Sequence, residues 1–252
     1  MSAPVFLVEP GALAGVTAGG TFLLDGSEGR HAGVVQRRAP GERVDVVDGA
    51  GVRLVGTVAA VGPEGVRVAV VEVVVEPEPS PRLVLVQALA KGDRDEMAVE
   101  AATEVGVDAV VPWQAERSIV VWRGDRAAKS RARWVGTVRA ATKQSRRARA
   151  PEVAQAVDGA GLRALVAATR ESGGVAVVLH EEGATPLADV ALPGAGDVLL
   201  VVGPEGGIGE RELDGLLSAG AVAARLGPHV LRTSTAGPVA LALVAQRLGR
   251  WG

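Results

Sequence analysis

Val198-Leu199-Leu200-Val201-Val202-Gly203-Pro204-Glu205-Gly206-Gly207 is the stretch on which the fold turns. Its unbroken apolar run reads as a strand buried on both faces, as in parallel sheets. A helix follows the turn: Leu213, Leu216 and Leu217 recur at helical spacing, and Glu210 and Glu212 occupy the first turn, where carboxylates suit the helix dipole. Downstream, Leu226-Gly227-Pro228-His229-Val230-Leu231-Arg232-Thr233-Ser234-Thr235-Ala236 repeats the pattern of an apolar strand ending in bare backbone. Exposed main chain beside a few polar groups, at the carboxyl ends of buried strands, is where α/β sheets hold ligands. The two loops together predict an enzyme with a small cofactor.

The pentapeptide by itself says less. It occurs earlier as Val61-Gly62-Pro63-Glu64-Gly65, flanked by the β-branched runs Val52–Val58 and Val66–Val70. That copy reads as a hairpin turn, with proline setting φ and glycine allowing positive φ. Only the second copy stands between a strand and a helix.

The chain has 252 residues, 48% of them apolar, enough for two modest domains or one large one with a sizeable core. Cysteine is absent, so disulfides, thiolate metal sites and a thiol nucleophile are excluded. His31, His180 and His229 lie far apart without metal-ligand spacing, and no metal is expected. The start lacks a basic segment and carries Glu9 and Pro10, unlike a signal peptide. No apolar run approaches the roughly 20 residues that span a bilayer, so a soluble cytoplasmic protein is expected. Formal net charge is −2, yet ten Lys and Arg residues between Arg123 and Arg149 face a single acidic residue, Asp125. Such a block in an otherwise acidic chain is a candidate phosphate-contacting surface.

Residues 1–76 read as mostly β: Thr21–Leu24, then Arg43–Val47, Val52–Ala60 and Val66–Val75 joined by hairpins, with a short helix over Glu28–Arg38 capped by Ser27. This reads as a small barrel. Glu76-Pro77-Glu78-Pro79-Ser80-Pro81 marks the domain boundary. Residues 77–252 alternate strands and helices, which implies a mostly parallel sheet covered on both faces. Strands are expected at Leu83–Ala88, Ala109–Pro112, Val175–Leu179, Val198–Val202 and Ala221–Leu226. Helices are expected over Asp93–Gly106 with Met97, Ala101 and Val105 inward, and over Arg126–Arg147 with Trp134, Val138 and Ala141 inward. Two more follow, over Leu162–Ser172 and in a last helix opened by Pro238. Trp113, Trp122, Trp134 and Trp251 are expected mainly in core or interface packing.

Familiar nucleotide signatures are missing. There is no glycine-lysine-serine/threonine phosphate loop, Gly207-Ile208-Gly209 lacks the third glycine of a Rossmann fingerprint, and Asp48-Gly49-Ala50-Gly51 lies between hairpin strands. The C-terminal pair, Gly203–Gly207 with Leu226-Gly227-Pro228 and Leu231-Arg232-Thr233, resembles the SPOUT methyltransferases, and more narrowly the bacterial 16S ribosomal RNA uridine-N3 methyltransferases. Lys91-Gly92-Asp93-Arg94, Thr103–Val107, Glu116-Arg117-Ser118, Gln144-Ser145-Arg146, Pro151-Glu152-Val153, His31–Arg37 and Pro40-Gly41-Glu42 agree in order and spacing.

The resemblance implies a PUA-like barrel (1–76) that binds RNA, followed by an α/β SPOUT domain (77–252) with a deep trefoil knot. It further implies a homodimer, S-adenosylmethionine as cofactor and 16S rRNA of the small ribosomal subunit as substrate. Cofactor contacts fall on Leu179, His180, Val202, Gly203, Pro204, Glu205, Gly206, Gly207, Leu226, Gly227, Val230, Leu231, Thr233, Thr235 and Ala236. Arg232 is the candidate for stabilising negative charge on the uracil, and Glu205 is a candidate proton acceptor or cofactor contact. RNA contacts are expected from Arg30, His31, Arg37, Arg38, Lys91, Arg94, Arg117, Arg139, Lys143, Arg146 and Arg147. The chain departs from the family pattern at His229, where arginine is usual, at Ser234, where glutamate is usual, and at Gly209, where a serine cap is usual. The rivals are a knotted methyltransferase acting on another RNA, such as tRNA, and a non-catalytic ribosome-assembly factor.

Overall fold

The computed structural model describes residues 3–251. The chain divides into two compact units. One comprises the chain up to Glu78 together with Thr142–Ala150; the other comprises Pro79–Ala141 and Pro151 onward. Among the described residues no helix is long and apolar enough to cross a membrane.

The first unit holds β1 (Val5–Leu7), β2 (Thr21–Leu24), α1 (Gly26–Arg30), β3 (Arg43–Val47), β4 (Val52–Gly62) and β5 (Gly65–Val75). They form a five-stranded sheet ordered β1-β3-β4-β5-β2, with β1 parallel to β3 and the other pairs antiparallel. Phe6, Leu24, Val46, Leu54, Val66 and Val68 fill its core. The earlier pentapeptide is the β4–β5 hairpin turn, with Gly62 opposite Gly65. The β4–β5 register shifts between Val55 and Gly56 and again between Val58 and Ala60. Gly56 is required at the first shift: a Cβ there would lie 2.5 Å from Val68 Cγ1 and 2.6 Å from the Ala69 carbonyl oxygen.

The helix expected over Glu28–Arg38 is shorter. α1 ends at Arg30, a π-helical turn spans His31–Val35, and Arg37 takes a positive φ of 52° that closes any helical continuation. Asp25, not Ser27, is the N-cap residue. The segment Thr142–Ala150 joins this unit through backbone and side chain. Ala148 packs with Val5, Leu7 and Val47, and its carbonyl accepts from Gly51 N at 3.2 Å. Arg149 donates to the carbonyls of Glu76 and Pro77, and Lys143 Nζ meets Glu28 Oε1 at 2.6 Å.

The second unit contains β6 (Arg82–Ala88), α2 (Arg94–Glu104), β7 (Ala109–Trp113), most of α3 (Asp125–Gln144), β8 (Glu152–Val153), α4 (Gly159–Glu171), β9 (Val175–Leu179), β10 (Thr185–Pro186), β11 (Asp197–Val202), α5 (Glu210–Ser218), β12 (Val222–Arg225) and α6 (Thr233–Arg247). Its seven strands pair in parallel in the order β10-β12-β9-β11-β6-β7-β8. Val198–Val202 of β11 is no more than 3% exposed, as the unbroken apolar run requires. From β6 the chain moves outward through β7 and β8. It then returns to β9, inserts β11 between β9 and β6, and leaves again through β12. The β11–β6 junction is therefore the switch point at which α/β sheets open a crevice.

Two helices differ from expectation. On α2 the buried residues are Asp95, Ala98, Val99, Ala102 and Thr103, while Met97 is exposed. Small alanines, rather than the larger methionine, let α2 approach its neighbours. The last helix starts at Thr233, so Pro238 lies inside it rather than at its start. Ser234 thereby loses the amide that would reach its carbonyl four residues later. Trp134, Val138 and Ala141 line the inner face of α3 as expected, and Trp122 packs edge-on against Trp134 at 5.3 Å.

Gly56→Ala is expected to destabilise the chain by about 1–3 kcal/mol through overpacking against Val68 and Ala69. Urea unfolding measures it, and an unchanged midpoint would remove the close approach at the β4–β5 shift.

Candidate functional site

The site is built at the carboxyl ends of β6, β9, β11 and β12. β11 ends in a tight turn in which Gly207 N donates to the Pro204 carbonyl at 2.9 Å, and Gly207 has φ of +70°. Gly203 must lack a side chain, because a Cβ there would come within 2.7 Å of Ile208 Cγ1. Ile208 is buried, and Gly209, the N-cap residue of α5, offers no side-chain cap.

Glu205 reaches from this turn to the loop after β6. Its Oε1 accepts from Lys91 N at 3.2 Å and from Arg94 NH1 at 3.0 Å. Partial burial works to raise its pKa, but its own backbone amide, Lys91 N and the Arg94 guanidinium outweigh that and hold it below the ordinary glutamate range. A carboxylate so held is a poor proton acceptor and a good clamp. On the other side, Arg117 NH1 donates to the Gly206 carbonyl at 3.1 Å, and a Cβ on Gly206 would meet Arg117 Cβ at 3.3 Å. Arg94 and Arg117, expected at the RNA, are thus engaged in holding the glycine turn.

Behind the turn is a carboxyl group whose position in the sequence signals only the first turn of α5. Glu212 is 3% exposed; its Oε1 accepts from Glu116 N at 3.2 Å and its Oε2 is buried without a partner. Burial is the main cause that raises its pKa, reinforced by the Glu116 charge and opposed by the Glu116 amide, Arg163 and Arg117.

The second loop leaves β12 at Arg225. Leu226, Gly227 and Pro228 line a cavity of about 520 Å3 together with Pro186, Leu187, Ala188, Arg225 and Leu243. A Cβ on Gly227 would meet nothing within 4 Å, so the main chain there is bare. His229, Val230 and Leu231 are exposed. Arg232 is the N-cap residue of α6; its carbonyl accepts from Thr235 N and Ala236 N, and its exposed side chain has no partner among the described residues. Thr233 is buried and its hydroxyl donates to the Gly203 carbonyl at 2.9 Å, which joins the second loop to the first. Gln87 Nε2 in turn donates to Thr233 Oγ1 at 2.9 Å. Gln87 escaped sequence reading; its only signal was a lone amide in the apolar run Leu83–Ala88. At the end of β9, His180 N donates to the Ala224 carbonyl, and its Nδ1 accepts from Glu182 N.

The expected RNA contacts fall into two groups. In the first unit Arg30 and Arg37 are exposed, Arg38 pairs with Glu42, and His31 sits edge-on to Phe6 with Gln36 and Lys143 at its ring nitrogens. Lys143 is bound to Glu28, and Arg146, at φ 60°, gives its carbonyl to Arg53. Arg139 and Arg147 also have partners. The basic block is therefore less free than its charge suggests. Arg131 binds the Val153 and Ala154 carbonyls, Arg133 binds Asp93 and Glu96, and Arg149 binds its own unit. Arg123, Arg126 and Lys129 stay exposed.

The RNA methyltransferase domain family matches residues 76–245. Ribosomal RNA small subunit methyltransferase E of Mycobacterium bovis is 45% identical over 233 residues, covering 92% of this chain and 89% of that protein. The chain belongs to the ribosomal RNA small subunit methyltransferase E family. A second member of that family, from Bacillus subtilis, is 30% identical over 89% of this chain and 90% of its own length. The crystal structure of the Neisseria gonorrhoeae methyltransferase E, bound to S-adenosyl methionine, superposes with a TM-score of 0.83 at 29% identity, over 98% of both chains. A putative methyltransferase from Legionella pneumophila, in complex with the same cofactor, gives a TM-score of 0.82 at 29% identity over 98% of both chains.

Glu212 supplies a pH test. Because folding favours its neutral acid, its charge costs stability. That cost is absent below the ordinary glutamate range and grows as pH rises through it toward the raised folded value. Glu212→Gln is expected to raise Tm over the wild type at about pH 8 and to leave it nearly equal at about pH 4. Equal differences at both pH values would contradict a buried, uncompensated carboxylate.

Proposed function

We propose that this chain transfers a methyl group from S-adenosylmethionine to N3 of a uridine in 16S rRNA of the small ribosomal subunit. The carrying observation is that both glycine loops converge at the β11–β6 switch point, in a chain of methyltransferase E length and sequence. The site suits the cofactor: bare main chain at Gly227, the apolar wall of Leu226, Pro186 and Leu243, and the ordered turn Gly203–Gly207 offer room for a flat base and polar groups for a ribose.

Bound there, S-adenosylmethionine supplies an activated methyl that needs no metal. The protein's work is to place donor and acceptor and keep water out. Val202, Gly203, Pro204, Gly206 and Gly207 form one wall, and Leu226, Gly227, Val230 and Leu231 the other, with Leu179 and His180 at the end of β9. Thr233, Thr235 and Ala236 hold the start of α6. Arg232, free of side-chain partners among the described residues, faces the negative charge that gathers on uracil as N3 loses its proton. Glu205, tied to Arg94 and Lys91, keeps the turn in shape rather than taking that proton.

The first unit serves as a PUA-like RNA-binding module, with Arg30, Arg37 and Arg38 at its surface. The insertion of β11 between β9 and β6 suits a trefoil knot, although knots are nearly absent from proteins at large. Exposed Val230, Leu231, Val239 and Leu243, on and just before α6, suit a homodimer. The enzyme would act in the cytoplasm, where ribosomes are assembled.

Nucleoside mass spectrometry of 16S rRNA from a deletion strain tests the assignment. Loss of 3-methyluridine, restored by the intact gene, is the expected result; its persistence would overturn it. Calorimetry with S-adenosylmethionine separates an enzyme from an assembly factor, since absent binding would favour the latter. Arg232→Ala is expected to keep cofactor affinity within about tenfold and lower turnover about 10²-fold. Wild-type turnover in that variant would remove Arg232 from the charge-stabilising role.

A further inference from the structure

Gln87 is the odd residue of β6. Around it Leu83, Val84, Leu85, Val86 and Ala88 are all buried apolar side chains, and Gln87 itself is 0% exposed. It lies in register with Val202, the last residue of β11, and with Pro112 of β7. Alternation along the strand puts it on the same face as Leu85. That face carries α6: a Cβ on Gly237 would approach Leu85 Cδ1 to 2.8 Å and Val202 Cγ2 to 3.5 Å. Helix and strands meet there with no room for a side chain between them.

At this contact the amide makes a one-way relay. Gln87 Nε2 donates to the Ala88 carbonyl at 3.2 Å and to Thr233 Oγ1 at 2.9 Å. The Thr233 hydroxyl, having accepted, donates to the Gly203 carbonyl at 2.9 Å. Each bond polarises the next in the same sense. Gln87 Oε1 is left buried without a partner among the described residues. A buried amide with an orphaned carbonyl is a poor choice for stability alone, since an aliphatic side chain would fill the same strand without that penalty.

We propose that Gln87 is a positioning residue for methyl transfer, acting through Thr233 on both glycine loops. This rests on the methyltransferase reading of the site. The relay ties the Gly203 carbonyl to the protein interior and so fixes the start of the glycine turn. It also fixes Thr233, whose chain neighbour Arg232 is exposed at the start of α6. One hydroxyl therefore sets the distance between the cofactor turn and the arginine that faces the acceptor base. A 1 Å drift between such groups costs on the order of 10²-fold in rate. The carboxylate clamp of Glu205 holds the same turn to Lys91 and Arg94 and makes no bond to Thr233 or Arg232 among the described residues.

The test uses the full chain with Gln87→Leu, Thr233→Val, Thr233→Ser and the Gln87→Leu/Thr233→Val pair. Methyl transfer to small subunits from the deletion strain, cofactor affinity by calorimetry and Tm are measured on each. Gln87→Leu and Thr233→Val are each expected to lower kcat about 10- to 100-fold while KM for the subunit moves less than about threefold. The pair is expected to be no worse than the poorer single variant, because both cut one relay. Thr233→Ser keeps the hydroxyl and is expected within about threefold of wild type.

Wild-type kcat in Gln87→Leu, multiplying losses in the pair, or Thr233→Ser as impaired as Thr233→Val would each overturn the proposal. If Gln87→Leu does not fold, the serine and valine variants at Thr233 decide it. A wild-type chain that binds the cofactor but methylates none of these subunits would refute the substrate reading instead. In that event the relay is read from cofactor affinity, where additive losses would overturn it.

Discussion

Strand β11 is the constraint from which the second unit follows. It is hydrogen-bonded on both edges, to β9 and β6, and its residues Val198–Val202 are buried on both faces. After Asp197 at its start, the strand carries no polar side chain. Whatever polar chemistry the unit performs is displaced to the strand's carboxyl end, where the backbone must turn. Because the connections that follow β9 and β6 run to opposite edges of the sheet, the turn opens onto a crevice rather than onto a neighbouring connection. The burial that stabilises the sheet and the placement of the site are one fact.

The turn beyond β11 is held from three sides by different kinds of bond. Glu205 pairs with Arg94 and Lys91 at the surface, Arg117 grips the Gly206 carbonyl, and Thr233 reaches the Gly203 carbonyl from inside. The exposed pair is the weakest of these, screened by water and salt. The buried hydroxyl is least open to exchange with solvent. Ligand contacts made by bare main chain need this scaffolding, since glycine supplies no rigidity of its own.

Local pattern carried much of this. The unbroken run Val198–Val202 had only one stable setting, and its flanks told a strand-to-helix loop from the hairpin at Gly62–Gly65. The pattern misled where packing rather than periodicity decides. Met97 sits at core spacing on α2, yet the alanines beside it face inward because they permit closer approach. Pro238 is a common first helical residue, yet Thr233 starts the helix because its hydroxyl is anchored on Gly203. The block Arg123–Arg149 reads as a polyanion surface by charge count, and several of its members are consumed by carbonyls and carboxylates that only the folded chain brings near. Gln87 and Glu212 were illegible for the same reason. Their partners lie 146 and 96 residues away in the chain, beyond the reach of any local window.

The first unit is assembled from two separate stretches of polypeptide, the second being Thr142–Ala150, whose Ala148 completes a small cluster with Val5, Leu7 and Val47. The proline run after Glu76 has the composition of a hinge between autonomous modules. A fragment ending there would lose the strap that lies against β1 and β3, and would expose three apolar side chains that the intact chain covers. The first unit is therefore complete only when the chain continues through Ala150.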